Sequence, residues 1–211
     1  MGLITFLYSV YLLAPIALLL VGSFGASWTN TLLPTGFTFD WYITVAEDPS
    51  FRRAFLTSLQ VVAATCVINV LLGVPFAYAV FSAANRGVRL AARIFTLLPV
   101  AVPELVLGFG FIIVFSSDVL PWLGTTWLLI CAHCVLTLPY LVGTLLTDMD
   151  RLGIAEMEKV AETLSAGFWR RFIDIVLPSI RYSLLSGLMM VTAISIGEFQ
   201  ISNLISGFLS R

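Results

Sequence analysis

Long apolar stretches dominate this chain and leave it few possible folds: residues 3–24, 55–81, 94–115, 126–146 and 183–199 hold no Lys or Arg, and acidic side chains only at Glu104 and Glu198. A bilayer core about 30 Å thick is crossed by a helix of about 20 residues, because every backbone N–H and C=O must be paired where no water can reach. Soluble chains carry roughly 25% charged residues. This one carries 11%, with 59% hydrophobic residues and a mean hydropathy of +1.01. The expected fold is all-α: a polytopic transmembrane helix bundle of five spans, organised as a single domain over residues 1–211.

The first apolar run begins at Leu3 without a preceding basic residue, so it reads as a retained span and not as a cleavable signal peptide. A formal net charge of −1 leaves no electrostatic footprint for nucleic acid. Cys66, Cys131 and Cys134 all lie inside apolar runs, which is not the pattern of a disulfide framework.

The connections divide by charge. Residues 82–93 carry Arg86, Arg89 and Arg93, and residues 147–182 carry Arg151, Lys159, Arg170, Arg171 and Arg181. Residues 25–53 are acidic and aromatic apart from Arg52 and Arg53, and residues 116–125 have Asp118 and no base. Basic loops stay on the cytoplasmic side, so the second and fourth connections and the N-terminus are expected inside. Trp28, Trp41, Trp122 and Trp127 then fall at the outer boundary, as an aromatic belt does.

The 147–182 connection is amphipathic. Ile154, Met157, Val160, Ala161, Leu164 and Phe168 recur at helical spacing, and Glu156, Glu158, Lys159, Glu162 and Ser165 occupy the other side. A second apolar set, Phe168, Phe172, Ile175 and Val176, predicts another short helix ended by Pro178. The pair is expected to turn its apolar face to the bundle and its polar face to the cytosol.

The run Ala161-Glu-Thr-Leu-Ser-Ala-Gly-Phe-Trp-Arg-Arg-Phe-Ile-Asp-Ile-Val-Leu-Pro178 resembles the EAA loop of binding-protein-dependent ABC importer permeases. That pattern is Glu-Ala-Ala, three residues, Gly, nine residues, Ile, one residue, Leu-Pro. Ile175, Leu177 and Pro178 match it, Ala161 ends the triplet, Lys159 and Val160 depart from it, and Ser165 stands at the glycine position. Gly167, two residues on, is left as an alternative host for the turn. Ser58-Leu-Gln-Val-Val-Ala-Ala-Thr, Gly73-Val-Pro-Phe-Ala-Tyr-Ala79 and Leu98-Pro-Val-Ala-Val-Pro-Glu-Leu-Val-Leu-Gly108 are similar to the family's second and third spans. Gly197-Glu-Phe199 resembles the branch that carries polyamines, ferric iron, thiamine and aminoalkylphosphonates.

The resemblance implies a non-enzymatic transport subunit of the bacterial inner membrane. Its partners would be separate ABC ATPase subunits, a second permease subunit, an extracytoplasmic solute-binding protein and the lipid bilayer. It implies an ATPase-docking surface at Glu158, Ala161, Leu164, Ser165, Ala166 and Gly167, with Phe172, Ile175, Leu177 and Pro178 holding the loop to the membrane. It also implies a small polar or cationic substrate such as a polyamine, and a sixth span in the family fold that is expected to be absent from this chain, residues 206–211 reading as the beginning of a connection to something further.

Glu104 and Glu198 are the substrate-path candidates, since an ionisable group inside a span is costly enough to point to function. For Glu104 the competing reading is a proline-broken helix whose free carbonyls and water solvate the carboxylate. Glu198 is expected to reach water at the outer end of the fifth span. Cys131-Ala-His133-Cys134 reads as helix packing with one buried His, not as a metal site, because no second ligand pair accompanies it. Asn69, Thr65 and Gln60 are candidates for hydrogen bonds between helices.

No Gly-x-x-x-x-Gly-Lys-Ser/Thr phosphate cradle, Gly-x-Ser-x-Gly elbow or His-Glu-x-x-His site occurs, so no cofactor or catalytic centre is expected and ATP hydrolysis falls to another chain. The alternatives are an ion-gradient-driven secondary transporter, which would show internal repeats and paired midplane charges, and a non-transporting assembly protein. An ATPase that purifies with the chain separates these three.

Overall fold

The computed structural model describes residues 2–29 and 33–206, and the chain divides into two compact units, Met1–Leu56 and Thr57–Arg211. In the first unit, α1 (Gly2–Ser23) is apolar throughout and has no buried residue. The connection after it is folded, not irregular. Strands β1 (Gly25–Ser27) and β2 (Thr35–Phe37) pair antiparallel, Gly25 facing Phe37 and Ser27 facing Thr35. α2 (Asp40–Glu47) follows, with Trp41 Nε1 donating to the Gly25 carbonyl at 2.9 Å. The rings of Phe37, Phe39 and Tyr42 gather round Phe24, each with its centroid 5.4 Å away. The next helix, α3 (Pro49–Ser82), has 34 residues, of which residues 49–56 fall in this unit and residues 57–82 in the second.

In the second unit α4 (Arg86–Ala101) starts at Asn85, whose side chain accepts from the Gly87 and Val88 amides. It leads to α5 (Glu104–Phe115), α6 (Thr126–Arg151) and α7 (Ile154–Thr163). A run from Phe168 to Ser179 comprises α8 (Phe168–Arg171), a π-helical turn (Phe172–Val176) and α9 (Leu177–Ser179). α10 (Arg181–Gly197) and α11 (Gln200–Ser206) complete the described residues. Residues 207–211, most of the stretch read as the beginning of a further connection, lie outside them.

Among the described residues three helices, α1, α3 and α6, are each long and apolar enough to cross a membrane, and the number rises to five if each of two bent pairs is one span. The fold is therefore an all-α, polytopic bundle, but the span expected at residues 94–115 is not one rod. α4 and α5 meet at 95°. Pro103 has no N–H to donate and forces its predecessor out of the helical region, and Val102 accordingly sits at φ −92°, ψ 129°. Pro99 stays inside α4.

α6 forms the axis of this unit. Leu141, fully buried, is a knob between two glycines: a Cβ added at Gly73 of α3 would lie 3.1 Å from Leu141 Cδ2, and one at Gly187 of α10 would lie 2.5 Å from Cδ1. Helices in a bilayer attract through close packing and not through exclusion of water, so small residues that admit a neighbour are what join them. Asn69 Nδ2 donates to Thr137 Oγ1 at 2.7 Å, and Thr137 donates to the His133 carbonyl at 2.6 Å, linking α3 to α6 as expected of Asn69. Gln60, expected to act likewise, is exposed. Ser183 Oγ of α10 donates to Asp148 Oδ2 of α6 at 2.5 Å.

Candidate functional site

The 147–182 connection is bounded by two left-handed residues. Gly153, at φ +65°, turns the chain out of α6. A side chain there would be strained by the left-handed backbone and would displace the Glu156 carboxylate, whose Oε2 lies 2.8 Å from where a Cβ would sit. At the far end of α7 it is Ser165, φ +62°, that takes the left-handed conformation. Its amide donates to the Glu162 carbonyl at 2.9 Å, and the Ala166 amide donates to the Ala161 carbonyl at 3.0 Å. This pair of bonds is the Schellman closure, which satisfies carbonyls that the helix end leaves orphaned. Gly167 does not host the turn. It is extended, at φ −67° and ψ 164°, and precedes α8.

α7 is rotated relative to the expected orientation. Ile154 is buried, and Glu158 and Ala161, along the same face, are partly buried. Met157, Val160 and Leu164 face outward, 45%, 61% and 79% exposed. The reason lies in α3. The Tyr78 hydroxyl donates to Glu158 Oε1 and draws that carboxylate inward, and the apolar strip is carried out. Tyr78 is 6% exposed, and its ring meets Phe172 and Phe168 with centroids 5.0 and 5.8 Å away. Arg171 reaches Glu162 Oε2 at 3.2 Å. Of the residues singled out for docking, Leu164, Ser165 and Gly167 are exposed, whereas Glu158, Ala161 and Ala166 are only partly so.

The second helix ends one residue past Pro178. The helix runs through it to Ser179 and bends by 64° into α10, with Ile180 buried at the corner. A proline clashes with the carbonyl four residues back, here Asp174, and lacks the N–H to bond it; widening the preceding turn to a π-helix relieves the conflict. Ile175 and Leu177 are half-buried beside the fully buried Val176, and Pro178 is exposed.

The sequence profile of the family described as binding-protein-dependent transport system inner membrane component matches residues 69–207. The chain belongs to this family. The permease is 29% identical over 192 residues to a Salmonella typhimurium permease named for 2-aminoethylphosphonate transport, covering 91% of this chain and 71% of that one. It is 27% identical over 193 residues to a molybdate/tungstate transport permease of Thermococcus kodakarensis, covering 90% and 75%. With a molybdenum transport permease of Mycobacterium tuberculosis it shares 32% over 178 residues, covering 76% and 64%.

The two substrate-path candidates of the permease do not meet in one site. Glu104 is exposed as the first residue of α5, where a negative charge is favoured by the helix dipole. It borders a cavity of about 50 Å³ with Pro99, Tyr140 and Ile194. Glu198 does not reach water: its side chain is 1% exposed. It accepts from the Ile201 and Ser202 amides at 2.6 and 2.9 Å and from Ser202 Oγ at 2.6 Å, closing the start of α11. His133, buried as expected, belongs to the same cluster, with Nδ1 2.6 Å from Ser195 Oγ and Nε2 3.0 Å from Ser202 Oγ. The Ser202 proton is given to Glu198, so in the neutral ring Nε2 donates to Ser202 and Nδ1 accepts from Ser195. His133 Nε2 and Glu198 Oε2 stand 3.7 Å apart.

Sequence reasoning missed Tyr78 and the joining of His133 to Glu198. A phenol within the apolar run 55–81 was the available signal for the first. No pattern in the sequence linked two residues 65 positions apart.

Proposed function

We propose that this importer subunit couples a membrane path to a separate ATPase through the outward strip Met157, Val160 and Leu164 and the Ser165–Gly167 turn beside it. The observation that carries the reading is a row of large apolar side chains, up to 79% exposed, on a loop that keeps the Ile175-x-Leu177-Pro178 signature. An apolar strip on a short helix between charged neighbours suits a hydrophobic groove on a soluble partner. Ile175, Leu177 and Pro178 hold the loop to the membrane; Glu158 and Ala161 support the strip from within.

In this reading the second and fourth connections and the N-terminus face the cytoplasm, as the distribution of arginines favours. A second permease subunit completes the path, and a solute-binding protein delivers substrate from the opposite side. The substrate is a small oxyanion-bearing solute of the phosphonate or molybdate kind. The relatives' names favour this over a polyamine, and Glu198 is committed to the Ile201 and Ser202 amides and the Ser202 hydroxyl. Glu104 is the remaining candidate for the path.

Val160→Asp tests the docking. It places a carboxylate at the centre of the strip, where desolvation in an interface weakens ATPase association by more than about tenfold, while membrane insertion is unchanged. Association equal to that of the wild type would remove the strip from the interface.

A further inference from the structure

We propose that Tyr78 is a positioning residue for transport, the strut through which a displacement of α7 reaches the membrane-spanning α3. This rests on the docking of an ATPase on the outward strip. α7 is ten residues long and lies between two left-handed residues, Gly153 and Ser165, so it is a short rod joined to the chain by a sharp turn at each end. Among the described residues, the bond from Tyr78 to Glu158 is the one hydrogen bond between an α7 side chain and α3, while the Arg171–Glu162 ion pair ties α7 to the run that leads into α10.

The strut is stiff at both ends. Glu158 sits near the middle of the rod, and the Tyr78 ring is clamped by Phe168 and Phe172. Arg171, from the same run as Phe168 and Phe172, reaches back to Glu162. A phenol donating to a carboxylate is a charge-assisted bond, and one made on a nearly buried side chain resists being stretched. A push on the outer face of α7 is therefore delivered to α3 one turn from its end at Ser82. Glu158 belongs to this transmission, facing away from any docked partner.

The test uses the permease assembled with its ATPase. Hydrogen exchange is followed in segments 154–166 and 70–82 before and after the ATPase is trapped with ATP and vanadate. In the wild type, trapping alters exchange in both segments. Tyr78→Phe keeps the ring and removes the hydroxyl, so the 154–166 response stays and the 70–82 response falls about fivefold or more, the range of ordinary coupling between sites. Glu158→Ala behaves in the same way. Glu158→Gln, which retains an acceptor oxygen, restores the wild-type response.

A full 70–82 response in Tyr78→Phe would overturn the strut and leave the docking surface standing. Loss of both responses in an assembled Tyr78→Phe complex would also overturn it, making Tyr78 part of the docking structure. No response at 154–166 in the wild type would overturn the docking surface and the strut together.

Discussion

Replacing Ser165 by glycine is expected to tighten the turn that closes α7. Ser165 stands at φ +62°, a conformation that costs an L-residue with a Cβ roughly 1–2 kcal/mol and that glycine adopts freely. Glycine also gains freedom when the turn opens, which offsets about 0.5–1 kcal/mol of the benefit. The net stabilisation is about 0.5–1 kcal/mol, or a two- to fivefold shift toward the closed turn. The amide of Ala166, bonded to the Ala161 carbonyl at 3.0 Å, is the direct reporter. In Ser165→Gly its hydrogen exchange slows about two- to fivefold if the Schellman closure governs its opening. Ser165→Val, β-branched and ill suited to positive φ, speeds it. An Ala166 exchange rate unchanged or faster in Ser165→Gly would mean that the left-handed serine does not strain the turn.

Two further predictions concern the bundle. His133→Leu removes the imidazole between Ser195, Ser202 and Glu198, leaves buried polar groups short of partners, and lowers stability by about 1–3 kcal/mol, read from thermal unfolding in detergent; His133→Gln, which keeps polar atoms there, loses less. Gly187→Ala puts a Cβ 2.5 Å from a Leu141 side chain that Gly73 confines from the other side, and destabilises by about 1–3 kcal/mol in the same assay. Gly108→Ala, whose one contact under 3 Å is with the end of the half-buried Leu204 side chain at 2.6 Å, costs less than Gly187→Ala.

The spans were legible because the bilayer leaves a chain few choices, and about 20 uncharged apolar residues are hard to place otherwise. Pro99 and Pro103 announced a disturbance in the 94–115 run, yet the 95° bend depends on how α4 and α5 pack. α7 was legible as a helix but its orientation was not. Ile154 and Ala161 make one apolar edge and Met157, Val160 and Leu164 another, and the inward edge is chosen by Tyr78, 80 residues away from Glu158 in sequence. Glycine propensity pointed to Gly167, whereas the Schellman bonds fix the turn at Ser165, five residues before Arg170 and one after the helix cap Leu164. Glu198 read as water-facing because it ends a span. In the fold it is buried because the chain turns there into α11 and its carboxylate closes that helix.

The most direct test of the account is to purify the tagged chain from native membranes in mild detergent and assay what accompanies it. An ATPase chain is expected to co-elute, with hydrolysis that rises when a solute-binding protein is added. Elution without an ATPase, or hydrolysis indifferent to the binding protein, would contradict the coupling of this loop to ATP.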